Sequence, residues 1–184
     1  MPNGFFNQPV YLQSGDPENE NTPSLYAPGH LGVRFSVIQP SRSAAGVEAG
    51  RSKTYQLVRT DSTMATAPYP GAVAWWANKA QYLVTTVATN RNRVAGVFQN
   101  AVTPGNYTCV QVGGPASVKM LDADMASIAI GDAIIPSTTA GKATRVAVGT
   151  APTHTTLGWI AGPSISSNAP NATVVVDLDL PMTT

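Results

Sequence analysis

Asp177 and Asp179 stand two positions apart in the apolar run 173–180 of a 184-residue chain. If that run is a strand, both carboxylates leave the same face. Such a pair could supply the acid and base of glycoside hydrolysis, or hard oxygen ligands for calcium. The solvated face of an edge strand produces the same spacing, and that is the reading the residues favour. The two histidines, His30 and His154, lie in loop sequence rich in Pro, Gly and Thr, so a metal site would have to draw carboxylates from distant segments. None is expected. Cys109 could act as a nucleophile only with a histidine in reach. Its place in Tyr107-Thr108-Cys109-Val110-Gln111-Val112 suits small core filler instead. Trp75, Trp76 and Trp159 could stack on sugar rings. Adjacent strand residues point to opposite faces, however, so Trp75 and Trp76 cannot share one platform, and packing inside the fold or an interface is the expected use. No phosphate-binding glycine motif of recognised spacing occurs. No catalytic residue, metal ligand set or cofactor is therefore expected, and the chain reads as a non-enzymatic protein.

The elements that would position these residues are short. Apolar, β-prone runs at 31–38, 54–59, 81–88, 94–98, 107–112, 116–120, 133–135, 143–148, 157–161 and 173–180 are separated by turn residues. Connections such as Thr103-Pro104-Gly105-Asn106 and Gly113-Gly114-Pro115 fall between neighbouring runs. This predicts an all-β fold, a small barrel or sandwich of short antiparallel strands. Within 107–112, residues 108, 110 and 112 should share one face and 107, 109 and 111 the other. Val97 and Phe98 should lie inside. Gly105 and Gly131 should occupy positive φ where the chain reverses. Helix is scarce: a turn near Asp124, with Asp124 as a possible N-cap, and the ambiguous stretch 72–80, where Val73, Trp76, Ala77 and Ala80 keep a helical spacing.

Residues 1–30 show neither alternation nor helical period and read as an extended arm ahead of a β domain at 31–184. Within the arm Phe5, Phe6, Tyr11 and Leu12 are the expected partner-binding anchors. Charged residues make up 11% of the chain, against roughly 25% in ordinary soluble proteins. Sparse charge lowers the cost of burying outer surface, which suits a protein that lives in an assembly. The net charge of +1, with no Lys/Arg run, argues against nucleic acid as a partner. No stretch approaches the ~20 apolar residues of a membrane span, and Met1-Pro2-Asn3-Gly4-Phe5-Phe6 lacks a signal-peptide pattern. A lone cysteine excludes an intrachain disulfide and suits synthesis in a reducing cytoplasm.

Several stretches follow a familiar order. They are Val94-Ala95-Gly96-Val97-Phe98-Gln99-Asn100-Ala101-Val102, Gly105-Asn106-Tyr107, Val110-Gln111-Val112-Gly113-Gly114-Pro115-Ala116-Ser117-Val118 and Ile130-Gly131-Asp132-Ala133-Ile134. Ala140-Gly141-Lys142-Ala143-Thr144, Leu157-Gly158-Trp159-Ile160 and Val174-Val175-Val176-Asp177-Leu178 complete the set. From about Arg93 onward the chain resembles the bacteriophage capsid cement, or head decoration, proteins. Residues 1 to about 92 carry no comparable match. The resemblance implies a small β-barrel within 92–184 and a homotrimer on the outer surface of an icosahedral phage head. There it would reinforce contacts between major capsid subunits, having been made in the host bacterial cytoplasm. A carbohydrate-binding or fibre-base module recognising host glycans is the alternative.

Overall fold

The computed structural model describes residues 17–18, 20–23, 31–38, 52–88, 93–160 and 173–180. The fold is all-β, as the spacing of apolar runs predicts. Its strands are β1 (Arg34–Ile38), β2 (Ser52–Thr60), β3 (Val73–Asn78), β4 (Leu83–Thr85), β5 (Val94–Phe98), β6 (Tyr107–Lys119), β7 (Ala133–Pro136), β8 (Ala143–Val146), β9 (Gly158–Ile160) and β10 (Thr173–Asp179). The sheet order is β1-β2-β4-β3-β5-β6-β10-β9-β7-β8. A further pairing of β2 with β6 closes β2, β4, β3, β5 and β6 into a five-stranded barrel, with the remaining strands outside it. All pairings between these strands are antiparallel except β2 with β4. Three of the five barrel strands precede residue 92, so the closed barrel is not confined to residues 92–184, where a small barrel is expected.

β6 joins the two halves of the molecule. Its first half pairs with β2 and β5, and its second half with β10. Gly113 stands opposite Thr54 on one edge and Asp179 on the other. The Gly113-Gly114-Pro115 stretch, expected as a connection between runs, lies inside this 13-residue strand and bends it without reversing it. Two features explain this. Gly114 takes φ 77, a conformation that an L side chain resists. The Gln111 carboxamide, fully buried, donates through Nε2 to the carbonyl oxygens of Gly113, Gly114 and Pro115 at 3.1, 3.4 and 2.8 Å. Acceptors that the bend turns away from the ladder thus find a donor nearby. Beyond β6, Met120 bridges Ala143 in parallel, and Leu121 N donates to Ala143 O at 2.8 Å. The outer strands therefore curl back toward the end of β6.

One continuous apolar core serves both halves, with Trp75, Phe98, Met120, Met125, Ile134 and Leu157 among its fully buried members. Val110 and Val112 enter it from one face of β6. From the opposite face Cys109 joins Tyr55 and Leu57 in a second cluster, covered by Phe35 and Val37 of β1. The alternation read from 107–112 holds, and Cys109 is core filler. Phe35 and Tyr55, cross-strand partners, stack with centroids 6.0 Å apart.

The stretch 72–80 is the strand β3 followed by a single 3-10 turn, Lys79–Gln81, rather than a helix. Val73 through Trp76 are buried on both faces, and all four belong to the main apolar core. A strand of that kind reads as a continuous apolar run, which a helical spacing can mimic. Asp124 does not cap a helix. The 3-10 turn Asp122–Ser127 starts after Leu121 without a side-chain cap, and Asp124 Oδ2 instead accepts from Thr144 Oγ1 at 2.6 Å. β10 is not an edge strand either, since it pairs with β6 on one side and β9 on the other.

Gly105 and Gly131 have φ 91 and 88, as the turn sequences predict. Each is the third residue of a reversal closed by a backbone bond, Asn106 N to Thr103 O and Asp132 N to Ala129 O, both 3.1 Å. A Cβ on either would meet its first neighbour at 3.3 and 3.4 Å, ordinary or slightly tight contact. The cost of alanine is therefore that of the left-handed backbone alone, about 1–2 kcal/mol per site. Gly105→Ala and Gly131→Ala should each lower the urea midpoint with an unchanged m-value; two unaltered midpoints would refute both turns.

Candidate functional site

The arm anchors Phe5, Phe6, Tyr11 and Leu12 lie outside the described residues, as does His30. The part of the arm that is described, residues 17–18 and 20–23, is strapped to the β domain. Thr22 exchanges two backbone bonds with Tyr107 at the start of β6, at 3.1 and 2.8 Å. Asn21 Oδ1 accepts from Thr103 N at 3.2 Å and Asn106 Nδ2 at 2.8 Å. Glu20, 2% exposed, presents its carbonyl to Asn100 Nδ2 at 3.0 Å. Glu18 Oε1 receives Lys53 Nζ at 3.0 Å and the Tyr55 hydroxyl at 2.6 Å. The Lys53 side chain is 5% exposed, so its ammonium is held by a charged partner where water is scarce.

The three tryptophans are not assembled into one surface. Trp75 and Trp76 both enter the main core, assisted by register shifts at Ala74/Trp75 and Trp76/Asn78. Trp159 is 48% exposed on β9, opposite Asp177, and lines an open groove with Asp177 and Asp179. Asp177 and Asp179 share a face, as expected, while Val174, Val176 and Leu178 fill the core from the other. His154 Nδ1 lies 2.8 Å from Thr153 Oγ1 in a loop. Among the described residues no three His, Cys, Asp or Glu side chains gather where they could hold a metal.

A cleft of about 840 Å³ opens between β1, β3 and the Lys79–Gln81 turn. Among the described residues Arg34, Lys79 and Arg93 line it together with Trp76, Ala77, Ala80 and Tyr82. Arg34 Nε donates to Gln56 Oε1 at 3.3 Å, and Gln56 Nε2 donates to Gly32 O at 3.1 Å. Partial burial pushes the Arg34 pKa below its ordinary value, the mark of a guanidinium drawn part-way out of water. Tyr82 has φ 50, and among the described residues no other non-glycine has positive φ. Its N–H donates to Lys79 O at 3.1 Å and its carbonyl accepts from Arg59 N at 3.0 Å. Its ring packs over Gly32, where a Cβ would run into it, and meets Trp76 edge-on at 6.1 Å.

The cleft was hidden from sequence reasoning by the small net charge. Nine of the eleven Lys and Arg residues fall in 31–119, against two of the ten carboxylates. That partition is the signal that could have pointed to a cationic face on the barrel half. No family model and no curated protein matches the chain.

Proposed function

We propose that this chain is a structural virion protein that binds the outer surface of an icosahedral phage head and reinforces contacts between major capsid subunits, as a homotrimer. The observation that carries the reading is the strap at residues 17–23. It ties Glu18 and residues 20–23, which follow the proposed anchors Phe5, Phe6, Tyr11 and Leu12 in the chain, to the β domain. A tethered arm binds its groove at high effective concentration, which suits clamping by many weak contacts. The sparse charge and the resemblance of residues 93 onward to cement proteins support the same reading.

The test is co-sedimentation of the purified chain with isolated phage shells, with its solution mass measured alongside. Deleting residues 2–14 removes the four anchors and keeps Glu18, Glu20, Asn21 and Thr22. This variant should melt as the full chain does yet release from shells at least about tenfold more easily, or about 1.4 kcal/mol. A deletion through residue 24 also removes the strap and should lower the melting temperature as well. Unchanged attachment after the shorter deletion would remove the arm from the mechanism. A chain that never sediments with shells would overturn the decoration role, and a monomer both in solution and on shells would overturn the trimer.

A further inference from the structure

We infer that the end of the outer half formed by the turns at 129–131 and 147–153 is the surface through which copies of this chain meet around a three-fold axis. The inference rests on the homotrimer reading and names the face that such a trimer would use. Among the described residues the exposed large apolar side chains are Ile130, Val148 and Trp159, at 59%, 68% and 48%. The fold brings all three to one place. A Cβ on Gly131 would meet Val148 Cγ2 at 3.4 Å, so Val148 lies against the turn that carries Ile130. Gly131 N donates to Ile160 O at 3.2 Å, and Ala133 stands between Trp159 on β9 and Val146 on β8. Ile130 and Val148 form the centre of this end, and Trp159 its margin. Exposed apolar groups gathered in this way mark a contact surface, whereas single ones scattered over a protein mean little.

Asp132 holds this surface in shape. The residue is 2% exposed, and its carboxylate accepts from Ala129 N at 2.9 Å and from Val148 N at 3.2 Å, which ties the two turns together. Arg145 Nη1 lies 3.2 Å from the same carboxylate, so the charge that shapes the surface is neutralised within the fold. A face fixed beforehand loses less freedom on docking. Charge identifies the occupant. No Asp, Glu, Lys or Arg occurs in 125–131 or in 146–176, and residues 147–153 are exposed throughout. Removing such a surface from water carries no cost of stripping charges. Near a rotation axis each residue faces its own copies, so a charge placed there is set against the same charge. An uncharged apolar face is compatible with itself, whereas a face made for a different partner is free to use charge for recognition. Asp177 and Asp179 lie on β10, on the side of β9 away from β7, and so stand outside the contact.

Sedimentation velocity of the full chain tests the assignment, with near-UV circular dichroism to verify folding. The unaltered chain should sediment as a trimer. Val148→Asp, Val148→Lys and Ile130→Lys replace exposed side chains, so each should keep the native spectrum while its association weakens at least about a hundredfold. Either sign of charge should act alike, because each is set against its own copies. An equimolar mixture of Val148→Asp and Val148→Lys should associate more tightly than either variant alone, since opposite charges then meet. Trimers that persist in all three variants would overturn the inference and leave the homotrimer reading standing. Variants that stay trimeric yet no longer sediment with phage shells would give the face to the capsid and overturn it as well. A mixture that stays dissociated would do the same, because Val148 would then face a different surface of the next copy. An unaltered chain that is monomeric in solution would overturn the inference, and one that is also monomeric on shells would overturn the homotrimer reading itself.

Discussion

Gly114→Ala should destabilise the β domain by about 2–5 kcal/mol and lower its melting temperature on the order of 10 °C. Two costs add. The left-handed backbone at φ 77 costs an L residue about 1–2 kcal/mol. The new Cβ would also run into the carbonyl oxygen of Ser52 on β2, which is backbone and cannot swing aside. Overpacking of that kind costs about 1–3 kcal/mol more. Gly149→Ala is the matched control, because Gly149 has φ 85 but nothing within 4 Å of a Cβ. It should show the backbone share alone. Equal melting of the two variants would mean that the bend in β6 is not held against β2.

Phe98→Ala should cost about 3–5 kcal/mol, the usual effect of truncating a large buried aromatic. Phe98 is fully buried, and its backbone is fixed by Phe98 N to Ala72 O at 2.9 Å and Gly71 N to Phe98 O at 2.7 Å. With the main chain held on both sides, the wall cannot collapse into the space left by the ring, which puts the cost toward the upper end. Trp159→Ala removes a larger aromatic that is 48% exposed, and should change stability by no more than about 0.5 kcal/mol. A loss below about 1 kcal/mol for Phe98→Ala, measured by denaturant unfolding, would place Phe98 outside the core.

What could be read from residue order was local. Alternation in 107–112 assigns Val110 and Val112 to one core and Cys109 to another, because the period of a strand is two whatever lies beyond it. Pro104-Gly105 marks a reversal because Pro and Gly prefer the two central positions of a turn. What could not be read depended on distant partners. Gly113-Gly114-Pro115 carries every local mark of a turn. It continues as strand because β10, sixty residues later, pairs across it and the Gln111 carboxamide receives its carbonyls. Val73 to Trp76 look helical because both faces are buried, a property of the barrel and not of the segment. Composition alone suggests Phe5, Phe6, Tyr11 and Leu12 as anchors, whereas the strap that follows them depends on Lys53, Tyr55, Asn100, Asn106 and Tyr107, none of which signals such a role in sequence. The cleft was illegible for a similar reason: Arg34, Lys79 and Arg93 become neighbours only after the barrel closes.

The strand shared by the two halves also sets an order of events during synthesis. All the strand pairings that close the barrel lie within residues 52–119, so they can form once residue 119 has emerged. The second half of β6 waits for β10, which spans Thr173–Asp179. At about 5–20 residues per second, roughly sixty residues of translation leave that edge without its own partner for about 3–12 s. An open β edge accepts any strand of suitable register. Where several chains are made side by side, as on a polysome, the C-terminal strand of one nascent chain can reach the waiting edge of another before its own arrives. Any pairing between copies formed this way would be a matter of timing at the ribosome, before a finished surface exists to recognise another.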